Sequence, residues 1–201
     1  MEKGGLATVL HEAGLTTAAT VLLADELRLG LRGQVRRVLA PKGVKVVQRL
    51  QIEYRWRYLL LAVDPRSGQL RWQWLERFRQ DQLKPVLADW GLDAILWDGA
   101  GAHRGKTLRE VPTQRLFLPP ASPQLNPAER VFEEIRRRVE GRVYPDVAAK
   151  QAVVDAYLHD LAADPARVQR LCGWAWLLTA FAALPPPSPA PPHPNGSPPC
   201  S

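Results

Sequence analysis

The segment Leu118-Pro119-Pro120-Ala121-Ser122-Pro123-Gln124-Leu125-Asn126-Pro127-Ala128-Glu129 constrains the fold more than any other stretch of the chain. Each of its four prolines removes a backbone donor and pins φ near about −65°, so neither a helix nor a central strand can run through it. It therefore links two elements of different kind. Before it, Gln114-Arg115-Leu116-Phe117-Leu118 reads as a strand. After it, Asn126 suits an N-cap, Pro127 the first helical position, and Glu129 falls at N3 to complete a capping-box arrangement. The spacing predicts a helix from 127 to about 140, with Ala128, Val131, Phe132, Ile135 and Val139 as its inner stripe. At about 100° per residue, Glu129 lies roughly a quarter-turn from the centre of that stripe, at the border of the buried face.

The remaining order is strands with a hairpin, then strands and helices in alternation. Strand signals occur at 20–25, at 34–40 and at 56–63, and Asp64-Pro65-Arg66-Ser67-Gly68 turns the chain into a returning strand at 69–74. A helix is expected over 75–89, with Leu75, Phe78, Leu83 and Leu87 inside, followed by a strand at 94–98 and a short helix near 104–110. Two more helices are expected at 146–163 and 165–182. This order favours an α/β fold, a mixed sheet flanked by helices, over a sandwich or bundle. Residues 1–19 are weakly patterned and show no helix-turn-helix pair. The domain spans 20–183, and 184–201 is a tail expected to be disordered, with nine of the 19 prolines in 185–200.

Three acids stand out. The apolar run Val21-Leu22-Leu23-Ala24 leads to Asp25, and Ala94-Ile95-Leu96-Trp97 leads to Asp98. Taken singly, Asp25 reads as a solvated strand end, Asp98 as a turn starter and Glu129 as a helix cap. Taken together, neighbouring strands would bring both aspartates to one rim, with Glu129 able to join them. Three carboxylates at one rim repel unless a cation lies between them. Oxygen donors suit Mg2+ or Mn2+, and a pair of such ions supports phosphodiester cleavage. Zinc is disfavoured, because His11, His103, His159 and His193 share no ligand spacing with the cysteines.

The formal charge of +7 fits a polyanionic partner. Between Arg28 and Arg57 stand nine Lys or Arg against one acid, Glu53, and Arg130, Arg136, Arg137, Arg138 and Arg142 cluster on the Glu129 helix. Such runs are often only solvated faces. Flanking the acids, they fit a groove that tracks a phosphate backbone. His103, Arg104, Arg36, Arg37, Lys42, Lys45, Arg130 and Arg137 are the candidate DNA contacts. Trp56, Trp72, Trp74, Trp90 and Trp97 read as core rather than stacking platforms. No membrane span or signal pattern is present, and two cysteines are too few for a disulfide framework, so a reducing cytoplasm is the expected compartment.

The proline-bracketed segment, with Phe132 three positions beyond Glu129, resembles the LPPYSPxLNPIExxW signature of mariner-like transposases, most of all their bacterial insertion-sequence relatives (the IS six-thirty family). Asp98-Gly99-Ala100-Gly101-Ala102-His103-Arg104 is similar to that family's DNAPxHR segment, and Ala24-Asp25-Glu26 to its first-strand DE pair. Gly99, Gln124 and Phe132 depart from the usual residues. The resemblance implies an RNase-H-like fold with the triad Asp25, Asp98 and Glu129. It also implies two Mg2+ or Mn2+ ions, nicking at element ends of double-stranded DNA, and strand transfer into a target. It leaves room for a separate helix-turn-helix recognition subunit and a homodimer. Two rivals stand beside it: a remnant that binds DNA without cutting, and a nuclease that hydrolyses without joining.

Overall fold

The computed structural model describes residues 5–33, 39–47, 51–99, 105–118 and 125–187. Its centre is a five-stranded mixed sheet in the order β3-β2-β1-β4-β5. The strands are β1 (Val21–Gly30), β2 (Trp56–Val63), β3 (Leu70–Leu75), β4 (Ala94–Trp97) and β5 (Gln114–Phe117). β1, β2 and β3 pair antiparallel, whereas β4 runs parallel to both β1 and β5. Six α-helices flank the sheet among the described residues: α1 (Gly5–Glu12), α2 (Gln80–Trp90), α3 (Ala128–Val139), α4 (Val147–Ala162), α5 (Pro165–Cys172) and α6 (Ala175–Ala182).

Alternation along the strands divides the core between the two faces. Leu22, Ala24, Leu60, Ala62, Ile95 and Trp97 pack with Leu83, Leu87 and Trp90 of α2. The opposite face is covered in two patches. Leu27, Leu29, Leu59, Leu61 and Val63 meet α3, α4 and α5. Val21, Leu23, Ala94 and Leu96 meet α1 and α6. The predicted stripe of α3 is all inside: Ala128, Val131, Phe132, Ile135 and Val139 are each at most 1% exposed. Side chains of this kind contribute roughly 1.5–3 kcal/mol each on burial, which fixes the rotation of α3 and hence the direction of Glu129.

Several elements differ from the sequence reading. β1 does not stop at Asp25 but runs on to Gly30, because Leu27 and Leu29 resume the buried alternation. α2 begins at Gln80, since Leu75 completes β3 opposite Tyr58. The helix expected over 165–182 is two helices broken at Gly173 and Trp174. A Cβ at Gly173 would lie 2.5 Å from the Gln169 carbonyl oxygen, so only glycine permits that bend. Residues 5–12, weakly patterned in sequence, form α1, with Leu6 and Leu10 buried against Leu177 and Phe181. The start of the proline-rich stretch is tied back, as Thr17 N donates to Pro185 O at 2.9 Å. The 34–40 strand falls mostly outside the described residues, and Leu39 and Ala40 are exposed without strand pairing.

Candidate active site

Asp25 and Asp98 are neighbours because β1 and β4 are neighbours. The parallel register pairs Val21 with Ala94, Leu22 with Ile95 and Leu23 with Leu96, a constant offset of 73. Two further steps along both chains set Asp25 beside Asp98. Asp25 shares its sheet face with Leu23 and with its cross-strand partner Leu61, the face that α3 covers. It lies where the α1–α6 patch ends and the α3–α5 patch begins. β4 ends at Trp97, so Asp98 is exposed at the mouth of the gap.

Glu129 reaches this gap through Asn126. That side chain is 2% exposed; its Nδ2 donates to the Ala24 carbonyl at 2.7 Å, and its Oδ1 accepts from Ala128 N at 3.1 Å. One amide thus caps α3 and ties its first turn to the residue before Asp25. The capping role was legible in sequence, but the bond to β1, 102 positions away, was not. Glu129 does not close a capping box. Its Oε2 accepts from Arg136 Nη1 at 3.1 Å, two turns along the same helix, with both side chains about one-third exposed. Glu133, one turn on, pairs outward with Arg130 and is 46% exposed.

The electrostatics register the crowding. Burial, followed by the nearby charges of Glu26, Glu129 and Asp98, raises the Asp25 carboxyl from 3.8 to about 7; the backbone N–H of Glu26, 2.9 Å from Oδ1, opposes the rise. A cation would relieve that repulsion. The donor set is all carboxylate, with no histidine or thiol, which suits a hard divalent ion. The cage is not closed, however. Among the described residues no group of three or more His, Cys, Asp or Glu is arranged to hold a metal ion, and Glu129 is paired with Arg136.

The candidate DNA contacts divide. Lys42 and Lys45 are exposed, as are Arg130 and Arg137, which pair with Glu133 and Glu134. His103, Arg104, Arg36 and Arg37 lie outside the described residues. The α3 cluster is less free than its sequence suggested, because Arg138 also holds Glu134 at 3.0 Å. Trp90 and Trp97 are core as expected. Trp72 and Trp74 are partly buried and both donate to Asp155 Oδ1, at 3.2 and 2.7 Å, whereas Trp56 is 40% exposed under the Arg28 guanidinium.

The profile of the DDE superfamily endonucleases matches residues 20–149, a span that includes β1, β4, the first turn of α3 and all three acids. The chain belongs to this family. Among solved structures, the Mos1 transposase paired-end complex with left transposon end superposes with a TM-score of 0.64 at 12% identity, covering 90% of this chain and 61% of that one. The Mos1 strand transfer complex gives a TM-score of 0.64 at 12% identity, over 90% and 60% of the two chains. The Mos1 mariner paired-end complex with Mn gives 0.60 at 11% identity, over 90% and 61%. These likenesses establish the RNase-H-like fold. The chain spans about 61% of the length of the Mos1 transposase it matches. No curated protein matches it in sequence.

Proposed function

We propose that this DDE endonuclease domain is the catalytic domain of a transposase that cleaves DNA at element ends and joins the freed end to a target. The observation that carries the reading is the Asp25–Asp98 adjacency fixed by the β1–β4 register, with Glu129 tied to the same strand through Asn126. Asp25, Asp98 and Glu129 would hold two divalent ions, Mg2+ or Mn2+, and the Mos1 complexes with Mn and with Mg support that choice. Bound there, such ions would activate the attacking hydroxyl and stabilise the leaving oxygen of an in-line displacement. The chain's own residues set up that chemistry. Asn126 holds the α3 turn against β1. Arg136 balances the charge of Glu129 until it is engaged, and the exposed Lys42, Lys45, Arg130 and Arg137, with His103, Arg104, Arg36 and Arg37, would position the phosphate backbone. Kinship with the IS six-thirty insertion sequences, a cytoplasmic setting, a helix-turn-helix recognition subunit and a homodimer belong to the same reading. No helix is long and apolar enough to cross a membrane among the described residues.

The test is metal-dependent nicking of duplex DNA. Asp98→Asn should lower the rate by more than about a hundredfold, the scale for losing one group that stabilises developing charge. Its salt-sensitive DNA binding should stay nearly unchanged. Equal cutting by parent and variant would remove the assignment. The Glu129–Arg136 pair favours one rival, a DNA-binding remnant, and a parent chain that binds but never nicks with Mg2+ or Mn2+ would establish it. A pre-cut end in a strand-transfer assay separates a transposase from a nuclease that only hydrolyses.

A further inference from the structure

Beyond Asp25, the rest of β1, residues 31–33 and residues 51–56 form one wall of a cleft of about 870 Å3 whose other wall is the end of α3, the turn after it and the start of α4. Its charge is one-sided: Arg28, Arg32, Arg55, Arg136, Arg142 and Lys150 line it against the single acid Glu140. It is also braced. Lys150, 8% exposed, donates from Nζ to the Gly30 carbonyl at 2.7 Å. The Gln51 amide pairs with the backbone of Tyr144 in both directions, at 2.9 and 3.2 Å, and Leu31 N and Gly33 N continue the hairpin to Arg55 O and Gln51 O. Two aromatic rings stand at this rim, Tyr54 at 65% and Trp56 at 40% exposure, with the Arg32 and Arg28 guanidinium groups 5.2 and 3.6 Å from their centroids.

We infer that this cleft binds an unpaired DNA strand next to the acids, its bases stacking on Tyr54 and Trp56 and its phosphates meeting the surrounding arginines. Solvent-accessible aromatic rings beside cations are the chemistry of single-strand binding, because only an unpaired base offers its face. The volume falls within the usual range for ligand pockets. Arg136 belongs to both sites, lining the cleft while holding Glu129, so a strand in the cleft lies on the path to the carboxylates. The inference deepens the DNA-cleaving reading and rests on it for the choice of DNA over RNA.

The experiment measures binding of the full chain to a fluorescent 12-nucleotide unpaired DNA, its duplex and the matching oligoribonucleotide, in metal-free buffer so that cleavage plays no part. Tyr54→Ala and Trp56→Ala should each weaken unpaired-DNA binding roughly fivefold to a hundredfold and duplex binding far less, while Tyr54→Phe keeps parental affinity. Arg55→Ala should reduce the salt slope by about 0.7, the share of one phosphate contact on a single strand. Parental affinity in both alanine variants would overturn the inference, as would equal losses on duplex, or tighter binding of the oligoribonucleotide. Tyr54 is exposed enough that its loss leaves the fold intact, which keeps the test decisive if Trp56→Ala misfolds. A parent that never nicks would sink the cleavage reading and leave the cleft result standing; a parent that nicks while its cleft variants bind normally would do the reverse.

Discussion

The two halves of β1 are built from one strand yet behave as different materials. From Val21 to Leu23 the strand is paired along β4, with Leu23 also meeting β2, and every side chain through Ala24 is fully buried. From Asp25 to Gly30 its ladder partner among the described residues is β2 alone, and polar side chains alternate with Leu27 and Leu29. The cause is the brevity of β4, which is four residues long. Where β4 stops, a helix-covered face opens enough to hold a carboxylate, and the strand that continues offers an edge for a ligand. A sheet that ends unevenly thus makes a site at the step. The first half supplies rigidity, and the second supplies access.

The contrast can be broken by substitution. Leu23→Ala should cost about 2–5 kcal/mol, the range for emptying a fully buried leucine site, whereas Arg28→Ala in the open half should cost about 0.5–1 kcal/mol, the worth of an exposed cation–π contact. Denaturant midpoints of the two variants measure the difference, and equal losses would deny any distinction between the halves. At the boundary, Asn126→Ala removes a helix cap and a buried bond to Ala24, for about 1–3 kcal/mol in melting experiments. Nicking should fall along with stability there, since Glu129 loses its anchor.

Asp25 sharpens the comparison through pH. Its folded carboxyl titrates near 7 and its ordinary value is 3.8, so between those values the folded chain holds more protons than the unfolded one. Stability in metal-free buffer should therefore fall as pH rises from about 4 to about 7 and level off above. Asp25→Asn should flatten that fall, by on the order of 1–2 kcal/mol once solvent screening of a partly exposed group is allowed for. Added Mg2+ or Mn2+ should raise the melting temperature of the parent most at high pH, where the proton no longer competes. A variant with the parental slope would place the titration elsewhere. The smallest effect is expected of Arg136→Gln. An exposed pair is worth about 0–1 kcal/mol, so stability barely moves, but Mn2+ should bind more tightly by calorimetry because Glu129 is released.

Local pattern alone carried much of this molecule. The apolar run of β2, the hairpin at Asp64 to Gly68, the short strand near 94–98 and the inner stripe of α3 all follow from nearest-neighbour rules of burial and turn chemistry, and so does the capping role of Asn126. Such features depend on residues within a few positions of one another, which is why a linear reading finds them. The break at Gly173 and the inclusion of α1 in the core were less legible, because both answer to surfaces supplied from elsewhere in the chain. Two further facts belong to tertiary structure: that β1 lies beside β4, and that Asn126 reaches the Ala24 carbonyl. Strand order and long-range bonds are set by how helices cover a sheet as a whole. The sequence named the three acids; the packing of α3 on one face of the β1–β4 step decided that they share a neighbourhood.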